Sequence, residues 1–222
     1  MARGFGATLG AGTTDIITSA LTSKPTTRSY HIWTLRNGTG GGNFGRMWDA
    51  AGAADLASYD NSFTAYAFTR AWSGGNAAWY FTTIPSTGVW AGVGISYDGG
   101  STVNDPVMYL NGVAQSITEL ANPGGTLVTT TGAYSIGNRA SDSARNWDGS
   151  LAELGVWDAI LSPAEFAALG KGYSPLLIRP ASLVEYVPMV RATLSRKLAA
   201  PSITGTAVRP HPRIILPSRL AA

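Results

Sequence analysis

The feature that most constrains this chain is the stretch 134–169, which reads YSIGNRASDSARNWDGSLAELGVWDAILSPAEFAAL. A short strand is followed by a loop rich in Asp, Asn and Gly, a second strand over residues 151–157, and a helix. The helix begins at Ser162-Pro163-Ala164-Glu165, a capping box with proline at the first helical position, and Gly170 ends it. This order of elements indicates the closing part of a jelly roll.

The same order resembles the C-terminal signature of laminin G-like, concanavalin A-like jelly rolls, "iGn…wdG.laEvgvWd.aLs.aEi..L", which closes the sandwich with a short helix. A second stretch, YDGGS…PVMYLNGVA at residues 97–114, resembles the central segment of that family. In pieces, the resemblance covers residues 28–169. It implies an all-β, concanavalin A-like (laminin G-like) jelly-roll β-sandwich with one short helix and extended N- and C-terminal arms.

Alternating apolar patterns predict further strands. Residues 30–35 (YHIWTL) are apolar on both faces, so this strand is expected to be central. Asn111-Gly112 supplies the two positive-φ residues that a type I′ hairpin turn requires. The other predicted strands are 63–72, 77–83, 89–97, 107–110, 113–117 and 183–187.

Composition limits the class of protein. The 222 residues, 45% of them apolar and 13% charged, suit one β-sandwich domain. The lack of cysteine excludes disulfides, thiolate metal sites and a thiol nucleophile. The N-terminus has no continuous apolar segment of the secretory type, and no apolar run approaches the roughly 18 residues of a membrane helix. We therefore expect a soluble protein made in the cytoplasm.

Charge divides the chain at Met189. Six of the 16 basic residues and none of the 13 acidic residues follow it, so the part before carries ten bases against 13 acids. From Ala192 onward, four prolines alternate with bases and short apolar groups, a pattern that cannot form its own core. We therefore predict an N-terminal arm or edge strand at 1–27, a jelly roll at 28–188, and an extended Pro/Arg-rich arm at 189–222.

The C-terminal arm is predicted to become ordered on a partner. Its basic residues suit acidic grooves and its apolar residues suit hydrophobic pockets, and the four prolines favour pockets. The predicted partner-binding residues are Arg191, Arg196, Lys197, Ile203, Val208, Arg209, Arg213, Ile214, Leu216 and Arg219.

Few residues suit catalysis. Glu153 is the only acid inside a strongly predicted strand, and Asp148 and Asp158 lie five positions away in flanking loops. A glycosidase needs two carboxylates facing one another across the scissile bond. We therefore expect no enzymatic activity and interpret Glu153 as a tether for a loop or a helix end.

Two further sequence patterns are interpreted as structural features. His31 lies in the predicted central strand, where a hydrogen-bonded structural imidazole is the usual role. Gly40, Gly42 and Gly45 match G-x-G-x-x-G, but a β-hairpin follows them, whereas a dinucleotide site needs a helix.

Calcium and glycans remain open as ligands, although we assign no cofactor and no metal. Loop oxygens suit calcium, but Asp-Gly and Asn-Gly are also ordinary turn residues. The candidate calcium ligands are Asp98, Asp105, Asn138, Asp142 and Asp148. Trp72, Trp79 and Trp90 are candidates for stacking on sugar rings.

The terminal segments narrow the expected function. An opening ARGFGATLGAGTTD and a closing Pro/Arg tail, without cysteine, resemble laminin G-like proteins of bacteriophage virions. The resemblance implies a capsid decoration (cement) protein, located in the virion and assembled in the host cytoplasm. It would dock on the major capsid protein or other virion subunits and form a homo-oligomer, with a trimer as the first expectation.

Two alternatives follow this reading in order. The second is a carbohydrate-binding adhesin module on a tail or collar, and the third is a glycoside-acting enzyme. We expect no membrane binding. Nucleic acid is not expected as a partner, because the six basic residues are thinly spread and no aromatic residue follows Tyr186.

Overall fold

The protein is an all-β sandwich of two eight-stranded antiparallel sheets. The structure, a computed structural model, describes residues 2–5, 15–19, 26–37, 45–50, 55–59, 65–129, 133–139, 145–189 and 202–216. In these ranges, no helix is long and apolar enough to cross a membrane. The predicted fold class is confirmed.

Sheet I contains the predicted central strand. In spatial order its strands are β10 (Val113–Ala114), β9 (Val107–Leu110), β8 (Trp90–Asp98), β3 (Thr27–Arg36), β13 (Gly149–Trp157), β1 (Ala2–Phe5) and β16 (Ala207–Arg209), and β14 (Leu183–Val187) also pairs with β13. Strand β3 lies between β8 and β13, as its two apolar faces predict.

Sheet II lies against sheet I. In spatial order its strands are β11 (Thr118–Ala121), β7 (Gly75–Phe81), β6 (Tyr66–Trp72), β5 (Asp55–Tyr59), β4 (Arg46–Ala50), β12 (Tyr134–Ile136), β2 (Ile16–Thr18) and β15 (Ser202–Thr204). The predicted β6–β7 hairpin is present, with its turn at residues 73–74.

Aromatic side chains fill the space between the sheets. Tyr30 of sheet I stacks on Trp48 of sheet II with ring centroids 4.8 Å apart. Phe68 and Trp79, both from sheet II, lie 6.2 Å apart in the same cluster. Burial of these rings removes apolar area from water at about 25 cal/mol per Å², which makes this cluster the main stabilising element of the fold.

A helix covers the outer face of sheet I. It is α1 (Pro163–Gly170), and Ser162 and Glu165 form the predicted capping box. Phe166 stacks on Tyr109 at 4.0 Å and lies over Gly94, where a Cβ would come within 2.6 Å of the ring. The absence of a side chain at Gly94 on β8 therefore leaves room for Phe166 of the helix.

The structure corrects two local predictions. The strand expected at residues 113–117 ends at Ala114, and the chain crosses to sheet II as β11. The turn at Asn111-Gly112 is as predicted, with φ angles of 50° and 79°.

The terminal segments also differ from the prediction. Strand β1 is not at an edge, because β16 pairs with it, and β15 pairs with β2 in the same way. The described part of the C-terminal arm, residues 202–216, thus docks on the sandwich instead of extending away from it. The physical reason is that β16 and β15 supply hydrogen-bond partners for the outer sides of β1 and β2.

Candidate functional site

The candidate site is centred on Glu153, which lies in a β-bulge of β13. The pairing register with β3 shifts between Ala152 and Gly155, and Glu153 has a positive φ of 55°. Leu151 and Leu154 both enter the core, although they are three positions apart. The bulge therefore adds a residue to the strand and takes the Glu153 side chain out of the regular alternation.

The Glu153 carboxylate is buried and has two partners. The Tyr186 hydroxyl donates a hydrogen bond of 2.5 Å to Oε2, and His211 Nε2 lies 3.0 Å from Oε1. The contact between Nε2 and Oε1 is close, but it does not have the geometry of a hydrogen bond. The predicted tethering role of Glu153 is therefore seen, with the C-terminal segment as the tethered element.

The surrounding contacts hold the C-terminal segment against sheet I. Ile215 donates to the carbonyl of Gly172 at 2.6 Å and accepts from the amide of Ser174 at 2.9 Å. Gly172 has φ +90°, and a Cβ there would lie 2.6 Å from the carbonyl oxygen of Arg213, so a side chain would push the segment away. Ile214 packs against a small cluster that contains Trp33.

His31 is buried on the same face of sheet I. Its ring meets Trp33 edge-on at 5.8 Å, and neither ring nitrogen has a hydrogen-bond partner among the described residues. Burial lowers the pKa of His31 from 6.5 to about 3, so the imidazole is neutral at physiological pH. The predicted burial is confirmed, but the predicted hydrogen bonding is wrong, because Gly92 and Gly94 oppose the ring and offer no side-chain acceptor.

The predicted partner-binding residues fall into three groups. Ile203 and Ile214 are half-buried against the sandwich, whereas Val208, Arg213 and Leu216 are exposed. Arg209 is half-buried on β16. Arg191, Arg196, Lys197 and Arg219 lie outside the described residues.

The candidate calcium ligands separate into two places. Asp98 and Asp105 lie at the Thr27 end of β3, while Asp148 lies at the opposite end. Ten residues at about 3.3 Å each put roughly 30 Å between these ends. Asn138 uses its Oδ1 to accept from two backbone amides.

The fifth candidate calcium ligand, Asp142, lies outside the described residues. In the part of the chain that the structure covers, no three His, Asp or Glu side chains come together as ligands.

The predicted sugar-stacking tryptophans are mostly inside the protein. Trp79 is fully buried and donates to Asp105 at 2.7 Å, and Trp72 is also buried. These two candidate rings are therefore not available for stacking on a sugar, because their strand faces turn toward the core. Trp90 is half-buried beside Ile214. Of the glycine loop, Gly40 and Gly42 lie outside the described residues.

An open polar cleft lies at the Asp98 end of the sandwich. It has a volume of about 380 Å³, and both carboxylate and amide groups reach it. Its lining residues are Ser96, Asp98, Val103, Asn104, Asp105, Val107 and Ile160. A groove of this size and polarity can accommodate a small polar ligand.

Two antiparallel sheets with a helix over one outer face define a laminin G-like jelly roll. The family model described as the concanavalin A-like lectin/glucanases superfamily, a laminin G family, matches residues 11–167, and the chain belongs to this family. No curated protein sequence matches the chain.

Solved structures share the fold at low sequence identity. A "putative carbohydrate binding protein" from Bacteroides ovatus is 14% identical with a TM-score of 0.63, over 93% of this chain and 58% of that protein. The chain thus spans little more than half of that protein's length. A heptameric SAP-like pentraxin from Limulus polyphemus is 16% identical with a TM-score of 0.59, over 86% of this chain and 89% of the pentraxin.

The sequence did not single out Tyr186 and His211 as partners of Glu153. The available signal was that the chain has only two histidines and that one of them follows Met189. A contact between residues 58 positions apart leaves no mark in local periodicity, so this signal could not be placed.

Proposed function

We propose that the protein is a non-catalytic structural component of a bacteriophage virion, a capsid decoration protein. In this role the jelly roll lies on the particle surface, and the C-terminal segment contacts a neighbouring virion subunit.

The observation that carries the proposal is an exposed apolar patch on the C-terminal segment. Tyr173, Ile215 and Leu216 are 39%, 42% and 62% exposed, Tyr173 and Ile215 form a β-bridge, and Leu216 follows Ile215 in the chain. The patch lies where the segment is already anchored to the body. Adjacent large apolar side chains in this setting suit a protein–protein contact.

The surroundings of Glu153 and His31 support a role without catalysis. Both oxygens of Glu153 are engaged, and the side chain is buried beneath the C-terminal segment. His31 is also buried and neutral. A general acid or base needs access to a substrate, which neither group has in this arrangement.

The test is reassembly on particles made without this protein. Purified protein should co-sediment with such particles, and the variant Ile215→Asp/Leu216→Asp should be lost from them by at least about tenfold, since two charges would enter an apolar contact. Val113→Asp is the matched control, because Val113 is exposed and lies at the opposite edge of sheet I. Wild-type protein that stays in the supernatant overturns the proposal.

Salt separates the two forces that could hold the segment. If apolar contacts dominate, as the patch suggests, retention should persist to about 1 M salt, where the Debye length is roughly 3 Å. Release at that salt concentration would assign the attachment to Arg209, Arg213 and the other bases instead.

Glycan binding is the second candidate, favoured by the polar cleft near Asp98. The Bacteroides ovatus protein, which is described as carbohydrate-binding, has the same fold as this chain. A glycan array should give Asn104-dependent binding: Asn104→Ala should abolish the signal, while Glu119→Gln on the exposed edge strand β11 should retain it. An array without signal rejects this candidate.

A further inference from the structure

We propose that residues 202–216, the docking segment, exchange between copies of this chain. In the exchanged form the docking segment of one copy occupies, on a second copy, the receiving surface formed by β1, β2, Glu153 and Gly172. The proposal needs only a second copy of the chain, so it does not depend on a virion role.

The receiving surface binds this segment through two sets of paired strands. Strand β16 pairs with β1 through Ala2↔Arg209, Arg3↔Val208 and Gly4↔Ala207, and β15 pairs with β2 through three further positions. The same segment therefore completes the edges of both sheets. Since these contacts are backbone hydrogen bonds in a fixed register, an identical segment from another copy makes all of them equally well.

The docking segment is held lightly compared with the rest of the sandwich. Each of its strands has only three residues, and no side chain of β15 or β16 is fully buried. Elements with little buried apolar area open at low free-energy cost, well below that of global unfolding. Detachment from one copy is therefore feasible while both bodies stay folded.

The contact between His211 and Glu153 gives the exchange its specificity. The Glu153 side chain is only 3% exposed, and the His211 side chain reaches it from the segment. A segment bound out of register would leave the buried Glu153 carboxylate without its contact to His211, and an unsatisfied buried polar group is unfavourable. The pair thus selects the same register on a second copy.

The chain length between body and segment permits the transfer. Twelve residues, 190–201, separate Met189 from Ser202, and they reach at most about 40 Å at 3.3–3.6 Å per residue. A domain of this size has a radius of gyration of about 16 Å. A segment can therefore reach the receiving surface of a copy that touches its own body.

The test uses engineered thiols, which report cleanly because the chain has no cysteine. Arg3 and Val208 lie directly opposite one another in the β1–β16 ladder. Full-length Arg3→Cys and full-length Val208→Cys, carrying different tags, are co-expressed, purified and treated with a short bis-maleimide. In a 1:1 mixture with complete exchange, about half of the receiving sites hold a segment of the other variant, so a covalent heterodimer of that order is expected.

The control replaces Arg3→Cys by Val113→Cys, an exposed position at the far edge of the same sheet. A yield of covalent heterodimer at least about fivefold above that of this control supports the exchange. The double variant Arg3→Cys/Val208→Cys, treated alone, reports the closed form as a cross-linked monomer. Cross-linked monomer from the double variant, with heterodimer no greater than the Val113 control, overturns the proposal.

Discussion

The buried imidazole of His31 predicts an unusual acid sensitivity. Burial lowers the pKa of the folded state from 6.5 to about 3. As the pH falls below 6.5, the unfolded chain binds a proton at this residue that the folded chain cannot bind until about pH 3. Folding stability is therefore fully present above pH 6.5 and is lost between pH 6.5 and 3, with a limiting slope of about 1.4 kcal/mol per pH unit.

The expected magnitude is accessible to measurement. Between pH 7.5 and pH 5, this single group should lower the free energy of unfolding by about 2 kcal/mol. Replacement by leucine, which is close in volume and cannot titrate, should remove that loss. At pH 7.5, His31→Leu should be neutral or stabilising by about 1–3 kcal/mol, because it eliminates two buried nitrogens that have no hydrogen-bond partner among the described residues.

Urea unfolding followed by tryptophan fluorescence at several pH values provides the assay. The difference in stability between wild type and His31→Leu isolates His31 from groups common to both proteins. The second histidine is tested separately with His211→Gln, which should leave the His31 contribution in place. A difference that changes by less than about 0.5 kcal/mol over the pH 5–7.5 window would refute the argument from burial.

Three other variants test the contacts of the terminal segments. Glu153→Gln changes the carboxylate that His211 faces and should lower the free energy of unfolding by about 1–2 kcal/mol in thermal or urea melts. An unchanged midpoint would show that this contact does not contribute to stability. Deletion of residues 190–222 should lower the melting temperature but keep one cooperative transition, since the two strands that are lost contain no fully buried side chain; complete unfolding would contradict this. Gly137→Ala should cost more than about 2 kcal/mol, because Gly137 has φ +80° and a Cβ would collide with the Phe5 ring; a soluble variant of wild-type stability would show that the N-terminal strand packs differently.

Local sequence signals were sufficient to predict many features of the jelly roll. The capping box at Ser162 and the positive-φ turn at Asn111-Gly112 need only neighbouring residues, and both are present. The two-sided apolar pattern of residues 30–35 also identified a central strand. These features are predictable because each is determined within a few positions of the chain.

The bulge in β13 explains why the candidate site was only partly predictable. Strict alternation places Leu151, Glu153 and Gly155 on one face, whereas the inserted residue brings Leu151 and Leu154 to the core. A one-residue change of phase inverts every later side chain in a strand. The sequence singled out Glu153 as the only acid inside a strongly predicted strand, but it did not give the direction of the carboxylate.

The docking of residues 202–216 was not predictable for a different reason. Prolines at 201 and 210 leave short stretches between them, and each strand has too few residues to show a period. The pairing is made by backbone groups, whose partners at β1 and β2 are about 200 positions away. Composition therefore indicated an arm, while the edges of the two sheets determined where it lies.

The position of β1 between β13 and β16 has a consequence for synthesis on the ribosome. Arg3 pairs with Leu151, so the first strand has no sheet neighbour until most of the chain has been translated. At 5–20 residues per second, this wait lasts on the order of ten to thirty seconds, during which the β6–β7 hairpin can already form from neighbouring residues. The nascent chain therefore carries the strand-forming residues 2–5 without their sheet partner until Leu151 emerges, and β16 joins sheet I later still.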